Sequence, residues 1–152
     1  MIPLFEEYLS EPGGNARLAP TERNVETLAL WAAKYITGEF PGAVVVVPGV
    51  GFSMAGGSAV DIEPGCAIGW GTYVRPPFRQ QGYAREMRLA QARELLRHGF
   101  SATIGEARVT NQVGVESLRW ADPGMEWVAV SYRIDLAKVL AVVGETPMEE
   151  RE

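Results

Sequence analysis

Apolar side chains at Val25, Leu28, Ala29, Ala32, Tyr35 and Ile36 recur at the i, i+3, i+4, i+7 spacing of one helix face, which predicts a helix over residues 21–37. Thr21 or Asn24 can cap its start, and Gly38 ends it. Residues 43–47 carry a different pattern, an unbroken β-branched run between Gly42 and Pro48, and predict a buried strand. Two shorter strand pieces, 51–55 and 58–62, flank Gly56 and Gly57. Residues 67–74 form a further strand whose internal glycines mark a bulge or a close approach by another chain segment. Residues 82–98 are rich in Ala, Met, Leu, Gln, Glu and Arg and free of Pro, so they predict a helix, with Gly99 just past its end. Its apolar stripe is imperfect, because Leu89 and Ala92 lie off the face of Met87 and Ala90. Next come a strand over 101–109, a short helix over 111–121 stopped by Asp122, Pro123 and Gly124, and one last strand over 126–134. Residues 1–10 read as a short helix or an extended arm, residues 11–15 as a loop, and the acidic stretch after Gly144 as a frayed tail. Helices alternating with strands give an α/β order.

Composition narrows the class. With 152 residues, 47% hydrophobic and 22% charged, the chain can bury the core of one domain. The single Cys66 cannot form an internal disulfide, and Cys66 with the single His98 is too few for a zinc set of about four ligands. No apolar run approaches the ~20 residues that span a bilayer, and the start lacks a basic signal region, so a cytoplasmic protein without membrane contact is expected. The net charge of −5 argues against a nucleic-acid partner, but the charge is uneven. Residues 1–74 carry three basic and eight acidic side chains, residues 75–108 seven basic and three acidic, and residues 109–152 four and eight. The basic island in the middle reads either as a solvated helix face or as a local anion site.

The stretch after the 67–74 strand favours the anion site. Pro76 and Pro77 exclude helix and remove two backbone donors, Gly82 comes after a short turn, and the next helix starts at once. The first N–H groups of a helix have no partner within it, and the macrodipole adds roughly half a positive charge there. A phosphate satisfies both. Gly82 and Ala84 keep bulk off the backbone, and Arg75, Arg79, Arg85 and Arg88 are expected around the anion.

Val74, Pro76, Arg79, Gly82 and Ala84, between a strand and a long helix, resemble the acetyl-CoA-binding motif of the GNAT family of N-acetyltransferases. Val109 to Asn111 is similar to the family's opening of its next helix, and the resemblance covers residues 66–136. It implies an α/β (α+β) fold: a mixed, twisted sheet with splayed central strands flanked by helices. It implies one domain over 1–152, with a variable helical part (1–42), a sheet and cofactor core (43–136) and a tail (137–152). Backbone N–H groups at Gln80, Gln81, Gly82, Tyr83 and Ala84, in the turn that carries Arg79, would hold the pyrophosphate of acetyl-CoA as co-substrate. The pantetheine would lie along Tyr73 and Val74, with Asn111 nearby. The family's usual Tyr in the following helix is missing: its place falls near Leu118, beside Ser117 and Trp120. The usual first strand is not recognisable before residue 21.

The reaction implied is acetyl transfer to an amine of a small molecule or protein, and a proton acceptor is then required. Glu106, in the 101–109 strand, is the candidate base, against a surface carboxylate paired with Arg108. Ser117 is the candidate donor to the departing thiolate, against an ordinary polar helix residue. Tyr73 reads as packing, His98 as a helix-end cation favoured by the dipole, Cys66 as a small buried residue, and Trp31, Trp70, Trp120 and Trp127 as core. No metal is expected, and a homodimer is compatible with the reading. The alternatives are a catalytically silent GNAT-like module that binds CoA or a protein partner, and an unrelated phosphate-binding α/β domain.

Overall fold

The computed structural model describes residues 1–12, 19–57, 64–106, 118, 125–128 and 131–145. The first helix, α1 (Ile2–Ser10), starts with a Pro in its first turn and buries Leu4, Phe5, Tyr8 and Leu9 along one side. Helix α2 (Glu22–Ile36) is capped as its sequence predicts: Thr21 Oγ1 accepts from the Asn24 N–H at 3.2 Å. It buries Leu28, Ala32 and Tyr35, and Gly38, at φ +76°, lies just past its end.

Strands β1 (Gly42–Val47), β2 (Gly51–Gly56), β3 (Cys66–Val74), β4 (Ala102–Glu106), β5 (Met125–Val128) and β6 (Ser131–Asp135) make one sheet in the order β1-β2-β3-β4-β6-β5. Every pairing is antiparallel except β3 with β4, which helix α3 (Tyr83–Arg97) connects. That parallel pairing is short: Cys66, Ala67 and Ile68 face Ala102, Thr103 and Ile104. Beyond it β3 continues to Val74 against β2 alone, while β4 continues to Glu106 against β6. The central strands therefore part after Ile68. A bulge sits at that point, because Met54 and Ala55 of β2 oppose Gly71 and Gly69, leaving Trp70 as the extra residue. Bulges bend and twist the strand that carries them, which accounts for its departure from β4. Glycine at 71 lets α1 close onto the backbone, since a Cβ there would lie 2.5 Å from Tyr8 Oη.

Each sheet face has its own core. On one, Phe5, Tyr8, Leu28 and Tyr35 of α1 and α2 pack with Phe52, Met54 and Tyr73. On the other, Leu89, Ala92 and Leu95 of α3 pack with Ala43, Ala55 and Ala67. Met87 turns instead to Val50 and Val74, so α3 serves two clusters, which is why its apolar stripe is irregular. A polar chain bridges α3 to the sheet. Ser53 Oγ lies 2.7 Å from Thr72 Oγ1, and Arg88 Nε donates to Thr72 Oγ1 at 3.3 Å. With its amide oxygen toward the sheet, Gln91 accepts from Ser53 Oγ (2.9 Å) and from the Met54 and Ala55 N–H groups (3.1 and 3.3 Å), beside the bulge.

Two expectations change at the C-terminal end. Residues 126–134 are not one strand but the paired strands β5 and β6, with Val128 opposite Ser131. Ala129 and Val130 carry no Gly, Asn or Asp signal for a reversal. The tail expected from residue 137 begins with a helix, α4 (Leu136–Val142), capped by Asp135, whose side chain accepts from the Lys138 N–H at 3.0 Å. Leu136, Val139 and Leu140 of α4 complete the α3-side core. The strand piece expected at 58–62 and the helix expected at 111–121 lie outside the described residues, apart from Leu118, which is buried.

Candidate functional site

At the end of β3, Val74 packs against Met87 and Val50, and the chain turns away. Pro76–Phe78 makes one 3₁₀ turn, held by Phe78 N–H to Arg75 O (2.9 Å) and Arg79 N–H to Pro76 O (3.2 Å). Gln80, at φ +60°, and Gly82, at φ +90°, then take left-handed conformations. Only Gly adopts that region without strain, so the non-glycine Gln80 marks a turn held by its surroundings. Helix α3 opens with Gly82 as N-cap and no side-chain cap, and Glu86 N–H to Gly82 O, 3.0 Å, is its first bond. Among the described residues, the N–H groups of Gln80, Gln81, Gly82, Tyr83 and Ala84 have no hydrogen-bond acceptor. A Cβ built at Gly82 meets nothing within 4 Å. Open space, a run of unused donors and a helix N-terminus together fit a phosphate-bearing ligand.

The arginines divide. Arg88 leans on Thr72 across the sheet. Arg75 and Arg79 turn toward α1 rather than toward the turn's N–H groups. Arg75 makes a fork with Glu7 (Nε to Oε2 2.9 Å, Nη2 to Oε1 2.8 Å) and donates from Nη1 to Gly49 O at 3.1 Å. Arg79 donates from Nε to Val74 O at 2.8 Å, pairs with Glu11, and lies 5.8 Å over the Tyr73 ring. The Arg75 hydrogen bond holds the Glu7 carboxyl below its ordinary range, and Glu7 in turn raises Arg75. Tyr73 is buried beside Tyr8 and Phe52, and its hydroxyl donates to Glu7 Oε2 at 3.3 Å. Burial first, then the Glu7 and Glu11 charges, push that phenol up, so it stays protonated.

The remaining sequence candidates fall only in part on the described residues. Glu106 ends β4, its backbone opposite Ser131, just past the point where β3 and β4 part; its side chain lies outside the described residues. Asn111, Ser117 and Trp120 also lie outside them. Leu118, near the place of the family's Tyr, is fully buried. His98 caps the C-terminus of α3, with Nε2 3.3 Å from Glu94. Trp31 and Trp70 stack at 5.7 Å, and Trp70 Nε1 donates to Tyr35 Oη at 2.8 Å. Burial pushes the Tyr35 phenol up to about 12, and it donates onward to Gly57 O. Residue patterns gave no sign of Glu7 and Glu11. Their partners are more than 60 positions away, and only the packing of α1 on β3 brings them together. The same packing takes Tyr8 Oη to the carbonyl of the bulged Trp70, at 3.1 Å.

No protein-family model and no curated protein matches the sequence. Solved structures do match in fold. That of yncA from Salmonella typhimurium, with its cofactor acetyl-CoA, superposes with a TM-score of 0.69 at 13% identity, covering 89% of this chain and 86% of that one. The ribosomal-protein-alanine N-acetyltransferase of Brucella melitensis gives 0.68 at 14%, over 88% and 91%. The PaiA N-acetyltransferase of Thermoplasma acidophilum, in complex with coenzyme A, gives 0.61 at 12%, over 88% and 89%. The fold is that of the GNAT N-acetyltransferases, an α+β architecture on a mixed sheet.

Proposed function

We propose that this protein transfers an acetyl group from acetyl-CoA to an amine. The observation that carries the reading is the turn with left-handed Gln80 and Gly82, whose N–H donors, with those of Tyr83 and Ala84, are unused, opening α3 beside two parted parallel strands. In this reading Gln80, Gln81, Gly82, Tyr83 and Ala84 hold the pyrophosphate, with Arg79 fixing the turn. The β3 backbone at Tyr73 and Val74, which has no β4 partner, offers its edge to the pantetheine amides. Acetyl-CoA supplies the activated thioester. The chain's own task is to orient it and to accept a proton from the incoming amine, a role assigned to Glu106, with Asn111 and Ser117 near the thiol end. The acceptor is a small molecule or an exposed protein amine.

Calorimetry with coenzyme A tests the site. Gly82→Ala measures the strain of an L-residue at φ +90°, and Gly82→Glu adds a carboxylate where the anion belongs. The second is expected to weaken binding by ~100-fold or more, on the order of 3 kcal/mol, and well beyond the first. Equal affinities in the folded variants would remove the site from this turn. A second reading, a catalytically silent CoA-binding module, draws on the buried Leu118 near the place of the family's Tyr. CoA binding without acetyl-CoA turnover against a panel of amines would select it.

A further inference from the structure

We propose that helix α1 positions the anion-binding turn through two carboxylates, Glu7 gripping Arg75 at its entry and Glu11 gripping Arg79 at its centre. This rests on the CoA reading of the turn and adds residues that do not touch the ligand. The turn has little internal support: two backbone bonds in its 3₁₀ part, Gln81 Nε2 to Pro77 O at 3.2 Å, and two left-handed residues. Its shape is fixed from outside. Arg75 is tied to α1 by the fork with Glu7 and to the β1–β2 turn through Gly49 O, while its own N–H reaches Val50 O at 2.8 Å. Arg79 is tied back to Val74 O and out to Glu11. Both guanidiniums thus direct donors to carboxylates of α1 and its C-cap and to backbone carbonyls, Gly49 O in the β1–β2 turn and Val74 O at the end of β3. Glu7 lies within α1 and Glu11 is the residue that caps its C-terminal end, so α1 and its cap hold two points of the turn.

Exposed ion pairs contribute little to global stability. Their effect here is preorganisation: a turn already shaped for the ligand binds without losing ordering entropy at that step. Removing the carboxylates has two opposed effects, a looser turn that binds less well and freer arginines that attract the anion more. Salt separates them, because it screens the attraction and leaves the ordering cost.

The experiment is calorimetry of coenzyme A binding to the wild type, Glu7→Gln, Glu11→Gln and the double variant, at low and high salt, with folding checked by circular dichroism. The double variant is expected to bind on the order of tenfold more weakly at high salt, with a smaller deficit at low salt, where the freed arginines attract the anion, and with Tm little changed. Arg75→Gln is expected to cost less when added to Glu7→Gln than in the wild type, because the fork is already lost and only the bond to Gly49 O remains to be removed. Unchanged affinity at high salt in the folded variants, or tighter binding at low salt that only fades to the wild-type value at high salt, would overturn the clamp. If the double variant fails to fold, Glu11→Gln alone carries the same test at the end of α1. A wild type that binds no coenzyme A would remove the site reading and the clamp together, whereas unaffected variants of a binding wild type remove the clamp alone.

Discussion

Glycine and proline at single positions shape the turn between β3 and α3. Pro76 and Pro77 have no N–H to give, and Gly82 accepts φ +90° without penalty. The turn and the first residues of α3 then present five N–H donors that no acceptor among the described residues takes. In the proposed reaction, the base at the other end of the gap is Glu106. Its backbone lies where β4 has left β3, which is where an amine would meet a thioester in the proposed reaction. Glu106→Gln keeps the size and removes the basicity. General-base assistance is worth about 10²–10⁴-fold, so turnover at neutral pH is expected to fall by ~100-fold or more with CoA affinity retained. The deficit is expected to shrink at high pH, where free amine is abundant. A pH–rate profile of both forms checks this, and equal profiles would leave the base to another group.

At the scale of elements, two helices dominate what the site requires. Helix α1 holds the turn from one face, and α3 contributes its N-terminus and, through Gln91, takes the β2 amides at the bulge. Helix α4 supports α3 from behind with Leu136, Val139 and Leu140. Arg93 adds a fork with Glu145 just past α4, with Nε to Oε2 at 2.7 Å. Leu140 is 2% exposed, so Leu140→Ala removes buried methyl groups and leaves a cavity. A loss of about 2–5 kcal/mol is expected, read from urea unfolding. A loss under about 1 kcal/mol would mean that α4 is not part of the core.

For the molecule as a whole, the ion pairs tie remote segments, and they give a pH dependence of definite sign. Arg75 and Arg93 hold the Glu7 and Glu145 carboxyls below their ordinary range. A carboxyl depressed on folding contributes stability that is fully present above its unfolded pKa and lost as pH falls through the lower folded value. The Tm difference between wild type and the Glu7→Gln, Glu145→Gln double variant is therefore expected to be small but present at neutral pH. It should narrow in acid, below about pH 4. A difference that widens there would contradict both pairs. Tyr73, whose hydroxyl donates to Glu7, does not reverse the sign, since burial keeps its phenol neutral throughout this range.

Local signals decided much of this. The cap at Thr21, the β-branched run of β1, the Gly82 opening of α3 and the motif from Val74 to Ala84 all act within a few residues, so the sequence alone carried them and the fold they imply. The reversal between β5 and β6 and the helix α4 were not legible in this way. No turn residue marks the first, and the short α4 gains its order from packing against α3. The parting of β3 from β4 was an expectation of the resemblance, but its location after Ile68 came from the bulge at Trp70, a property of strand pairing. Which arginines face the turn was a tertiary matter too. The basic island is a local count of charge, while the carboxylates that claim Arg75 and Arg79 lie 68 residues earlier in the chain and arrive only when α1 packs on β3.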